Sequence, residues 1–109
     1  MSWARDLTKA QRRELRRIAG LAYERELATA LTAVEEDFRR WRAGEIGPHD
    51  LNEAIHRFHQ GPNRHLWLQY SDGPVEFAAL RGVQSGVVSE SEVAPDVLEL
   101  IKPRLEGRE

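Results

Sequence analysis

Cysteine is missing from the 109 residues. That excludes a disulfide framework, a thiolate nucleophile and a cysteine-ligated zinc site. Also missing is any apolar run near the ~18 residues a membrane-spanning helix requires, so no membrane association is expected. Met1 to Asp6 do not form the charged patch and apolar stretch of a secretory leader. The expected compartment is the cytoplasm. Catalytic serine motifs, phosphate-binding glycine loops and dinucleotide fingerprints are absent, and no cofactor is implied. Internal repeats and low-complexity tracts are lacking. Strand signals are lacking too, since the Val87-Val88 pair is too short to build a sheet on.

What is present is helix. Thr8 and Gln11 have the spacing of a capping box. From there to Trp41 there is no proline, and most residues are strong helix formers. Arg39, Arg40 and Arg42 suit a helix C-terminus, and Gly44 follows. The expectation is one helix of roughly 34 residues, against a usual ~11 or 12.

The apolar side of that helix changes direction. At about 100° per residue, Leu7, Leu15, Ile18 and Ala22 share one side. Tyr23, Leu27, Ala30, Leu31, Val34, Phe38 and Trp41 fall on a side rotated by roughly 150°. Leu27, Leu31, Val34, Phe38 and Trp41 also run as a short coiled-coil-like seam, which makes them interface candidates. Either the helix bends or breaks near Gly20, or its halves pack against different partners, one of them a second copy. Ala19, Gly20 and Ala22 would admit another backbone closely.

Four shorter helices are expected to follow. Gly47 and Pro48 open the second, with Ile46 and Leu51 placed as a hydrophobic staple and Leu51, Ile55 and Phe58 facing inward. Gly61 is expected to end it and Pro62 to open the third, whose inward set is Leu66, Trp67 and Tyr70. The turn Ser71-Asp72-Gly73-Pro74 leads to a fourth helix bearing Val75, Phe77, Ala78, Leu80 and Val83. Val87 and Val88 tuck back. Ser89 and Glu92 repeat the capping-box spacing. A short last helix holds Val97, Leu98 and Ile101, with Pro103 as its stop. The fold class is therefore all-α: a single-domain small helical bundle over residues 1–109, with 1–6 and 106–109 frayed.

All four histidines lie within residues 49–65. His49, Glu53 and His56 project to one side of the second helix, with His59 nearby. Glu53 and His56 have the Glu-x-x-His spacing of di-iron bundles, but the second such pair is missing. His56 and His59, three apart, are candidates to share one metal ion, with a third ligand from Glu53, His65 or a partner chain. His56, His59, Arg64 and His65 are anion candidates, because a helix starting at Gly61-Pro62 would offer free N–H groups to a phosphate or carboxylate. The alternative is a solvated outer face.

The net charge of −2 hides an asymmetry. Residues 1–20 hold six basic and two acidic residues, whereas residues 43–109 hold six basic and eleven acidic ones. Arg12, Arg13 and Arg16, with Arg5 and Lys9, make one basic helical face. It suits an acidic protein surface or, through counterion release, nucleic acid. A helix-turn-helix over the second and third helices is disfavoured, since the would-be recognition helix carries Arg64 as its sole Arg or Lys. Trp3 precedes the first cap and reads as an anchor or a loose tail. Together these features point to a non-enzymatic interaction protein working through a helical surface as a homodimer. Metal- or anion-dependent activity and nucleic-acid binding are the alternatives.

Overall fold

The computed structural model describes residues 5–106. Trp3 and most of the two expected frayed ends lie outside the described residues. Five α-helices are present: α1 (Lys9–Arg42), α2 (Pro48–Phe58), α3 (Arg64–Ser71), α4 (Val75–Gln84) and α5 (Pro95–Glu106). No strand occurs among the described residues.

Helix α1 begins where the capping box places it. The Gln11 N–H donates to Thr8 Oγ1 at 3.0 Å, and the Thr8 N–H donates to Gln11 Oε1 at 2.9 Å. It ends at Arg42 with Arg39, Arg40 and Arg42 in its last turn, and Gly44 then takes a left-handed φ of 78°. At 34 residues it is a rod of about 51 Å. That accounts for most of the 55 Å long axis of the molecule. Helix α1 is continuous through Gly20, so of the two alternatives the break does not occur. At Gly20 itself nothing lies within 4 Å of an added Cβ. The small-residue patch admits the other backbone at Ala22, where a Cβ at Gly82 of α4 would stand 2.8 Å from Ala22 Cβ.

Gly61 and Pro62 do not separate two helices. The backbone stays helical from Pro48 to Ser71 through a π turn at His59–Asn63. The count is thus four helical rods, not five. Pro62 lacks an N–H and crowds the carbonyl four residues earlier, and a wider turn accommodates both defects. The wider turn also absorbs one residue. Leu51, Ala54 and Phe58 face α1 before it; in an unbroken α-helix Pro62 and His65 would follow in that line. Instead Leu66 is buried, Tyr70 and Asn63 are half-buried, and His65 is exposed. Trp67, expected inward, is 56% exposed.

The last helix also differs from expectation. Pro95 occupies its first turn, and Pro103 lies within it rather than stopping it. Proline leaves a helical carbonyl without its donor, and near the C-terminus that loss is small. The adjacent Leu100 carbonyl accepts from Arg104 Nη1 at 2.9 Å.

The buried core sits at one end. Leu15, Ile18, Ala19 and Ala22 of α1 meet Ala78, Ala79 and Val83 of α4, Val88 and Val93 of the connection, and Val97 and Ile101 of α5. Ser89 and Glu92 bracket the turn in that connection, the Ser89 N–H donating to Glu92 Oε1 at 2.9 Å. Arg25 fastens the same connection to α1 through both Glu92 carboxylate oxygens, at 2.8 and 2.6 Å, and the Val87 carbonyl. The other half of α1 is covered by the α2–α3 rod alone, running back along it as a two-helix arm. Leu51 and Leu66 are the buried apolar side chains of that rod. The turning stripe of α1 is thus met within one chain by two different neighbours. Their faces differ by roughly 100° rather than 150°, since Leu31 and Phe38 do not face inward.

Candidate functional surfaces

Two surfaces and one junction stand out. The junction lies where α1 changes neighbours. Tyr23 and Tyr70 stack with ring centroids 5.1 Å apart. The Tyr70 hydroxyl donates to Glu26 Oε2. The Arg81 guanidinium lies 5.2 Å from the Tyr70 ring centroid and donates from Nη2 to the Gln69 carbonyl at 2.8 Å. Its Nε is buried without a hydrogen-bond partner. Burial, and then the Glu26 carboxylate, push the Tyr70 phenol up to about 12. Three rods are tied together here. The sequence signals of this knot are weak: spacing marks Tyr70 only as an inward residue, and no local pattern distinguishes Glu26 or Arg81 from other surface charges.

The first surface is the arm. Leu27 and Val34 are half-buried against α2–α3, while Leu31, Phe38 and Trp41 are exposed, with Ile55, Trp67 and Leu68 exposed beside them. These six exposed side chains leave from 37% to 56% of their surface open. Phe38 and Trp41 meet edge to face at 6.3 Å, and Arg42 covers Trp41 at 5.8 Å.

The second surface is the basic end of α1. Lys9, Arg12, Arg13 and Arg16 line one hollow of about 410 Å³. Four other arginines of α1 have carboxylate partners: Arg17 with Glu14, Arg25 with Glu92, and Arg39 and Arg40 with Glu45. Among the described residues these four cations have none, and Arg12 donates to the Arg5 carbonyl instead, at 3.3 Å. The first turn of α1 also lacks an acidic residue. Positive charge is therefore left uncompensated at the positive end of a helix dipole.

The histidine cluster is spread over several surfaces. His49, His56, His59 and His65 are all exposed. Glu53, His56 and His59 line one shallow hollow with Ile55. His59 and Arg64 line the next with Asn63 and Trp67, the His59 Nδ1 standing 3.3 Å from Asn63 Nδ2. His65 is elsewhere, on the wall of a groove of about 540 Å³ with Arg25, Thr29, Leu66 and Val87. Glu53 is 3.6 Å from Arg57. Among the described residues no group of three or more His, Cys, Asp or Glu is placed to hold a metal ion. The helix N-terminus expected at Gly61-Pro62 is absent as well. The rod is continuous there and the Arg64 N–H donates to the Gly61 carbonyl, which removes the main reason for an anion at Arg64.

Among the described residues no helix is long and apolar enough to cross a membrane. No protein-family model, curated protein or solved structure matches the chain.

Proposed function

We propose that this is a small non-enzymatic interaction protein that acts through the helical surface of its arm and works as a homodimer. One observation carries the reading: of seven large apolar side chains left exposed among the described residues, six belong to the arm and one, Phe77, to α4. Scattered exposed apolar residues are ordinary, but a concentrated patch marks a contact surface. The chain's own later helices meet both sides of α1, yet Leu31, Phe38 and Trp41 of its turning stripe stay exposed. The support is what those helices leave wet.

Light scattering over a range of concentrations tests this. The expected mass at high concentration is twice the 12.5 kDa of the chain. A mass that stays at one chain throughout overturns the homodimer.

The uncompensated Lys9, Arg12, Arg13 and Arg16 favour a second reading, docking of the basic end on an acidic protein surface or on nucleic acid. Binding to duplex and single-stranded DNA that falls steeply with salt, and is lost with Arg12, Arg13 and Arg16 changed to Glu, separates the nucleic-acid form of it from the first reading.

A further inference from the structure

The exposed apolar residues of the arm fall largely on one flank. On the outer half of α1, Leu31 and Phe38 sit roughly 50° to 70° past the line facing α2–α3, in the direction of rising residue number. On α2, Ile55 lies about 60° past the Leu51–Ala54–Phe58 line, in the same sense. Because the π turn absorbs one residue, Trp67 falls within about 20° of Ile55 instead of pointing straight outward. The two rods run antiparallel, so offsets of the same sense place Leu31, Phe38, Ile55 and Trp67 on the same side. His59 borders both Ile55 and Trp67, which makes that side continuous along α2–α3. The opposite flank is occupied by the α4–α5 connection, held there by Arg25 and walling the groove that His65 and Leu66 share.

Resting on the homodimer reading, we infer that a second copy of this chain covers the open flank, the two arms overlapping antiparallel about a two-fold axis between Leu31 and Glu35. Three features select this occupant. Exposed Glu24 and Arg42 lie on the flank side of α1, nine residues to either side of residue 33. An antiparallel overlap sets each Glu24 against Arg42 of the second copy. A patch holding both signs is self-complementary, as an isologous contact requires, whereas a polyanion would meet Glu24 and Glu35 within it. The same side of α1 becomes basic toward its start, at Arg13 and Lys9. Parallel overlap would bring two such ends side by side; antiparallel overlap holds them about 60 Å apart.

Substitution tests the flank. Phe38→Glu and Trp67→Glu are expected to weaken dimerisation at least tenfold, with helical circular dichroism retained. Phe77→Glu, also exposed but on α4 and off the arm, should leave it unchanged. Orientation is read by crosslinking, which the absence of cysteine makes clean. A short bismaleimide should link Glu35→Cys chains in pairs and fail with Arg13→Cys. Dimers indifferent to Phe38→Glu and Trp67→Glu would overturn the flank and leave the homodimer standing. Crosslinks through Arg13→Cys and none through Glu35→Cys would overturn the antiparallel overlap. A wild-type chain of monomeric mass removes both this inference and the reading under it.

Discussion

The two halves of α1 have the same length scale and different surroundings. From Leu15 to Ala22 four buried side chains meet three further segments. From Leu27 to Trp41 no residue of α1 is buried and one neighbouring rod covers it. The difference teaches that a helix need not be stabilised evenly. The first half is held by burial on several sides. The second is held by its continuity with the first, by the α2–α3 rod, and by surface pairs such as Arg39 with Glu36 at 2.7 Å, which contribute little each.

The sharpest break of this contrast is truncation at matched positions. Ile18→Ala removes a fully buried side chain and is expected to cost about 2–5 kcal/mol. Leu31→Ala, in dilute monomeric protein, should cost less than about 1 kcal/mol. Urea unfolding compares them, and equal losses would erase the distinction between the halves.

A smaller effect probes the arm's register. An alanine inserted between Asn63 and Arg64 swings Leu66 and Tyr70 by about 100° off the inner face. The expected loss is about 2–3 kcal/mol, close to one large truncation. Deleting Gly61 together with Pro62→Ala removes both the residue that the π turn absorbs and the proline it accommodates, so an ordinary α turn keeps Leu66 inward. That variant should keep its helix content by circular dichroism. If the deletion harms the protein as much as the insertion, the π turn is required for more than register.

The smallest effect is expected at the clasp on the packed half. The Arg25 guanidinium, and then the Ser89 N–H, hold the Glu92 carboxyl at about 2, below its ordinary 4.5. A depressed folded value means that this contribution is present above 4.5 and is lost as pH falls through about 2. Melting temperatures of wild type and Glu92→Gln should therefore differ most near neutrality and converge between those values. A gap that stays constant to pH 2 would contradict the clasp.

Much of the fold was legible because local chemistry marked it. Thr8 with Gln11, Pro48 after Gly47, and Gly44 and Gly86 at left-handed turns each set a boundary that the sequence displays. Gly61-Pro62 misled because the pair normally ends helices. The contrary signal was the spacing of Phe58 and Leu66, eight residues apart where an α-helix repeats at seven. Trp67, Ile55 and Phe77 misled differently. Apolar character makes a residue a candidate for burial, but the number of neighbours available decides, and the arm has too few. The histidines were found by composition alone, and periodicity could not show that the π turn sends His65 to the other flank from His59.

One consequence of the unbroken α1 concerns distance. Arg12 and Trp41 are 29 residues apart on a single rod, which sets them about 40 Å from one another. Whatever engages the charged tip and whatever engages the aromatic tip are held at a constant gap, as by a strut, and neither can be drawn toward the other unless the rod itself yields.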